Sequence, residues 1–187
     1  LCALLVKKMG HIDNFLLLEN DFLNPDVDSS LTDFPNFQKA NKVVANIPYN
    51  ITGPILEKLL GNIVHPAERP FDSIVLLVQR EVGDRLFARP STKAFGALSI
   101  RVQYLAHCEL ICPVPARDFS PPPKVDSAVI RLTPRKLELT AKNPKLLDNL
   151  VRLGFSTRRK MLRNNLQSAI DREALSELLV SLNISTE

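Results

Sequence analysis

Cysteine is scarce in this sequence and shows no pairing pattern: Cys2, Cys108 and Cys112 are odd in number and form no CxxC motif. A disulfide framework is therefore not expected, and with no signal peptide to read, a reducing compartment fits, the cytoplasm or an organelle. His107 stands close to Cys108 and Cys112, but a fourth ligand is missing and the apolar neighbours suggest a buried strand, so no metal is expected. No apolar run approaches the roughly 20 residues that cross a bilayer, which excludes a membrane helix from the expectations. Internal repeats are absent, and the one biased stretch is Pro121, Pro122 and Pro123, which stiffens a loop by fixing φ.

What remains is an ordinary globular mixture. Apolar residues make up 45% and charged residues 24% of 187, enough for one large domain or one domain with a small appendage. The net charge of +4 is modest, yet Arg152, Arg158, Arg159, Lys160 and Arg163 crowd into one short stretch. Such a cluster suits a polyanion whose counterions it displaces, and on charge alone it suits a solvated helix face equally well. Residues 1–9 read as an apolar helix closed by Gly10; without an initiator methionine, this opening looks like that of a fragment.

Short apolar runs alternate with helix-compatible stretches. Residues 15–18, 42–45, 73–79, 107–112 and 125–132 read as strands, and residues 52–60 as a helix with Pro54 near its start and Gly61 after its end. The alternation implies an α/β fold built on a buried parallel sheet, with the all-apolar run at 74–78 in its centre. Beyond Pro134 the pattern turns helical, with Asn143 and Asp171 as caps and Leu175, Leu178, Leu179 and Leu182 as a stripe. The chain thus divides into an α/β domain over residues 1–134 and a small helical domain over residues 135–187.

The most specific local signal is Asn46-Ile47-Pro48-Tyr49, directly after a strand. Ligands of open α/β sheets bind beyond the carboxyl ends of strands. Methyl transfer to an aromatic amine requires that the nitrogen lone pair, delocalised into the ring, be turned toward the methyl donor. The Asn46 side-chain oxygen and a main-chain carbonyl around Pro48 can accept the two amino hydrogens and favour a pyramidal nitrogen. Tyr49 offers a face for stacking a flipped-out base, worth about 1–3 kcal/mol. The same four residues also occur in plain turns, and the neighbouring motifs decide between the two readings.

In that company the tetrapeptide resembles the amino-methyltransferase motif of the ribosomal RNA small-subunit adenine N6,N6-dimethyltransferases. Further stretches match that family in the same order. Glu19-Asn20-Asp21-Phe22-Leu23 resembles its acidic motif, with Asn20 and Phe22 in place of the usual glycine and alanine. Phe119-Ser120-Pro121-Pro122-Pro123-Lys124-Val125-Asp126-Ser127-Ala128-Val129 resembles the segment before its last strand, and the run from Gly154 to Leu166 its helical-domain signature. Residues 79–86 and 95–99 match as well and are read as scaffold, with Arg80 and Arg85 in salt bridges on a helix surface.

The resemblance implies a Rossmann-like class I methyltransferase sheet, here incomplete, followed by a helical RNA-binding domain. It implies S-adenosyl-L-methionine as cofactor, with Asp21 accepting from the cofactor's adenine amino group, Phe22 enclosing that ring and Asn46 shared with the cofactor site. It also implies catalysis by Asn46, Pro48, Tyr49 and Phe119, the last facing Tyr49 across the target adenine; read without the family, Phe119 is a core residue. Lys124, Arg158, Arg159, Lys160 and Arg163 are then the contacts to small-subunit ribosomal RNA of a monomeric enzyme. The family's glycine-rich loop has no counterpart, since the six glycines include no Gly-x-Gly, so these 187 residues alone are expected to bind the cofactor poorly. Two other readings share these motifs: a large-subunit adenine methyltransferase conferring macrolide resistance, and a non-catalytic RNA-binding assembly or transcription factor of the same fold.

Overall fold

Four strands supply the frame on which everything else is hung. In the computed structural model, which describes residues 1–24, 29–136, 140–157 and 159–184, these are β1 (Lys42–Asn46), β2 (Ser73–Gln79), β3 (Ala106–Val114) and β4 (Ser127–Pro134), in the order β1-β2-β4-β3. β2 lies inside the sheet, as its apolar run predicts. The sheet is mixed, however: β1 and β2 are parallel, whereas β4 runs antiparallel to both β2 and β3. The parallel sheet read from the alternation is corrected here, because β3 leads to β4 without a crossover helix and an antiparallel return needs none.

Three helices, α2 (Thr52–Leu60), α3 (Arg80–Leu86) and α4 (Ala97–Leu105), bury one face of the sheet. Ile55, Leu56 and Leu59 of α2 and Val102 and Leu105 of α4 pack with Ile74, Leu76, Val78, Ala128, Ile130 and Leu132. Along β2 burial therefore alternates, with Val75 and Leu77 only half-buried, although the sequence suggested cover on both sides. The opposite face explains this. Val44 is 82% exposed, and its row continues through Val75 to Arg131 and Glu109, which form an ion pair. That pair holds the Glu109 carboxyl below its ordinary range, through the hydrogen bond from Arg131 and its positive charge.

Other strand predictions shift. Residues 15–18 are half-buried but form no strand, since among the described residues no neighbour offers them a ladder. β3 is an edge strand and largely exposed instead of buried; Cys112 lies open, while burial pushes the Cys108 thiol up to about 11. The last strand starts at Ser127, because the preceding Val125 is held in the proline loop and exposed. Upstream, α1 (Cys2–Met9) forms as predicted, but it buries no residue and Gly10 stays right-handed at φ −63°. The end of α2 fits its prediction fully: Gly61 adopts φ +73°, and an added Cβ would meet the His65 carbonyl oxygen at 2.3 Å.

The helical part comprises α5 (Pro144–Gly154), α6 (Leu162–Leu166) and α7 (Arg172–Ser181). Asn143 accepts the Leu146 N–H at 3.0 Å, and Asp171 accepts the N–H groups of Glu173 and Ala174, so both predicted caps form. The predicted stripe on α7 is narrower than expected. Leu175 and Leu179 are buried, but Leu178 and Leu182 are 46% and 58% exposed, because α7 packs along a single seam. Arg101 of α4 bonds Asp148 of α5 at 3.0 Å, and Tyr104 Oη accepts the Ala141 N–H at 3.3 Å, which ties the helices to the sheet. No helix among the described residues is long and apolar enough to cross a membrane.

Candidate functional site

The carboxyl ends of β1 and β2 and the start of β4 meet at one end of the sheet, where Asn46 is opposite Leu77 and Gln79 opposite Ser127. Asn46 is the last residue of β1, one position deeper in the strand than the sequence suggested. Side chains alternate along a strand, so Asn46 projects from the same face as the exposed Val44. Its carboxamide is exposed and makes no hydrogen bond among the described residues, which leaves both its oxygen and its amide hydrogens for a ligand. Ile47, next in line, is buried and anchors the turn in the core.

Pro48 has an extended backbone, φ −62° and ψ 130°, and leads into a short 3-10 turn over Tyr49–Ile51. Its carbonyl accepts the Ile51 N–H at 3.3 Å, so one lone pair is used and one remains. The Thr52 hydroxyl donates to the Tyr49 carbonyl at 3.1 Å and fixes the passage into α2. Tyr49 is half-buried, and its hydroxyl shares a hydrogen bond of 2.5 Å with the hydroxyl of the fully buried Ser127. Nothing in the local sequence pattern names for Ser127 a partner 78 positions away.

Ser127 ends the proline loop, and that loop is closed on itself. Asp126 accepts the Ala116 N–H through its side chain at 2.9 Å and the Arg80 N–H through its carbonyl at 2.9 Å. Within the loop Phe119 is half-buried, not a core residue, and its N–H donates to the Ala116 carbonyl at 3.2 Å. The Tyr49–Ser127 bond thus joins the Asn46 turn to the end of the segment that carries Phe119. Lys124 is exposed and lines an open groove with Gln79, Arg80, Asp84 and Asp126. Arg80 pairs with Asp84 at 2.9 Å and Arg85 with Glu81, the salt-bridged surface that the sequence indicated.

Asp21 and Phe22 lie on a separate loop. One Asp21 carboxylate oxygen accepts the Leu23 N–H at 2.9 Å, a local turn bond that leaves the second oxygen exposed. Phe22 is 42% exposed, with the Lys58 ammonium of α2 5.2 Å from its ring centroid. Lys58 also donates to the Asn24 carbonyl at 2.7 Å and so docks this loop on α2, a role the sequence did not reveal. An exposed carboxylate and a partly exposed ring on one loop are groups that could hold an adenine and its amino group.

The basic cluster is dispersed over the end of α5 and the turn that follows. Arg159 and Lys160 are exposed, Arg163 is half-buried on α6, and Arg158 lies outside the described residues. Arg152 donates to Asn149 at 2.8 Å. Asn165 is buried and donates to the carbonyls of Gly154 and Thr157 at 3.0 and 3.1 Å, holding the turn before the cluster.

The family profile described as "Ribosomal RNA adenine dimethylase" matches residues 1–187. The chain is 64% identical over its whole length to ribosomal RNA small subunit methyltransferase A of Trichormus variabilis, of which it covers 69%. It is 65% identical to the protein of the same description from Nostoc punctiforme, of which it covers 65%. The chain therefore spans about two thirds of the length of these relatives. Among solved structures, a dimethyladenosine transferase from Plasmodium falciparum superposes with a TM-score of 0.59 at 29% identity, over 79% of this chain and 53% of that one. The 23S rRNA methyltransferase ErmE shares the fold, with a TM-score of 0.57 at 23% identity over 87% of this chain and 71% of that one.

Proposed function

The chain belongs to the ribosomal RNA adenine dimethylase family, and from that premise we propose that the protein methylates the N6 amino groups of adjacent adenines in small-subunit ribosomal RNA. The cofactor of this reading is S-adenosyl-L-methionine, which when bound supplies an electrophilic methyl group on a sulfonium. Asp21 and Phe22 would hold its adenine, by the carboxylate and by the free ring face.

The chain's own residues have a limited task. A sulfonium needs no strong base to be displaced, but the exocyclic nitrogen must be aimed. The unpaired Asn46 oxygen and the remaining lone pair near Pro48 accept the amino hydrogens, draw the nitrogen out of conjugation and line it up for in-line attack. The proton departs to water once the nitrogen is cationic. Tyr49 stacks on the extruded base, and Phe119, carried by the closed proline loop, takes its other side. Because the Tyr49 hydroxyl is occupied by Ser127, the residue serves as a ring, not as an acid or base. Lys124, Arg159, Lys160 and Arg163 bear on the phosphate backbone, where contacts position the substrate without reading sequence.

One observation carries the reading: an exposed, unpaired carboxamide at a strand's carboxyl end beside an aromatic ring anchored to the proline loop. The names of the cyanobacterial relatives favour the small subunit over the large one. In the full-length protein, Asn46→Ala is expected to lower methyl transfer to precursor small subunits by at least about 100-fold, the cost of losing alignment. RNA affinity should stay within about twofold, since Asn46 touches no phosphate in this reading. An Asn46→Ala protein that methylates at the normal rate would remove the mechanism.

A further inference from the structure

The loop between α3 and α4, residues 87–96, carries two cations, Arg89 and Lys93, outside every role described above. It is a fixed feature. Gln103 of α4 donates to the carbonyls of Leu86 and Ala88, both at 2.9 Å. Ser99 donates to the Arg85 carbonyl at 2.6 Å and accepts the Gly96 N–H at 3.0 Å. Inside the loop the Thr92 hydroxyl donates to the Arg89 carbonyl at 2.7 Å, and Ser91 is held in the left-handed region at φ 68°, unusual for a residue with a side chain. The residues from Arg89 to Lys93 are all exposed, and neither cation has an ion-pair partner among the described residues.

Two rings connect this loop to the basic turn. Phe95 meets Phe155 edge to face, with centroids 6.0 Å apart and planes at 64°. Lys93 lies two residues before Phe95, and Arg159 four residues after Phe155. Each residue spans at most about 3.6 Å, so Lys93 lies within about 7 Å of Phe95 along the chain and Arg159 within about 14 Å of Phe155. Arg159 and Lys160 are likewise exposed and without an ion-pair partner among the described residues.

We infer that Arg89 and Lys93 form, with Arg159 and Lys160, one arc that follows the phosphates of double-stranded RNA, its halves joined at the Phe95–Phe155 contact. This rests on the proposed RNA substrate and adds a second cationic segment to it. Between the two loop cations stand only Pro90, Ser91 and Thr92; the Thr92 hydroxyl is spent on the Arg89 carbonyl, and that of Ser91 is of the kind that donates to phosphate oxygens. A segment that inserts into a membrane surface needs large apolar side chains, and residues 89–93 have none. Shape and phosphate spacing are what a duplex of RNA offers to such an arc.

The test uses the full-length protein, a short RNA duplex and a salt series read by fluorescence anisotropy. Arg89→Gln with Lys93→Gln is expected to lower the slope of log affinity against log salt by about 1–2, as two lost phosphate contacts would. Arg159→Gln with Lys160→Gln should do the same, and all four changes together should sum. Lys93→Gln alone, at a side chain with no described hydrogen bond, repeats the measurement with the least disturbance to the fold. A loop variant with an unchanged slope, beside a turn variant whose slope falls, overturns this inference and leaves the proposed function standing. Failure of the unsubstituted chain to bind the duplex overturns both. Binding to phosphatidylserine vesicles, with none to the duplex, overturns the arc as an RNA surface.

Discussion

The sheet region and the helical region are held together by different means. Among the described residues, fifteen buried apolar residues form one cluster through the sheet and its three helices in the first, and in the second the buried cluster is Leu166, Leu175 and Leu179. So small a core leaves more of the order to caps and tethers: Asn143, Asp171, the Arg101–Asp148 pair and the Asn165 clasp. The difference matches the two tasks proposed above. Aligning a nitrogen with a methyl donor tolerates little displacement, whereas gripping a phosphate backbone tolerates a surface that adjusts.

Three measurements bear on this contrast. Leu76 is fully buried in the middle of β2, so Leu76→Ala is expected to cost about 2–5 kcal/mol and to lower the denaturation midpoint of the whole chain. A loss confined to the helices would reverse the picture. Asp171→Ala removes the cap of α7 and should cost about 1 kcal/mol, seen as faster amide exchange in α6 and α7 while exchange in β2 stays slow. Equal acceleration in both regions would mean one cooperative unit. The smallest effect belongs to Arg101 and Asp148, both partly exposed, where a double-mutant cycle of Arg101→Gln and Asp148→Asn should give about 0.2–1 kcal/mol. A larger coupling would make this pair the main tether between the regions.

The sequence foretold much of the frame for reasons visible in particular residues. The apolar run at 74–78 lies in an interior strand, Gly61 ends α2 with the positive φ that only glycine adopts freely, and Asn143 and Asp171 cap the helices they precede. Legibility failed where a partner decides the outcome. Residues 15–18 have a strand's composition and no ladder, β3 has buried-strand composition and an edge position, and Leu178 keeps helical spacing on a face that nothing covers. At the proposed site, the candidates Asn46, Tyr49 and Phe119 were legible through family resemblance, as expectations. The bond that sets Tyr49 was not, because hydrogen bonds between distant positions leave no local trace.

That bond has a consequence for how the molecule comes into being. Tyr49 is made early and Ser127 late, and β4, which begins at Ser127, has to pair with β2 before the two hydroxyls can meet. Contacts of such long range form slowly. A nascent or half-assembled chain would carry every residue of the NIPY turn and still lack its fixed ring, so competence arrives with the last strand and not with the motif.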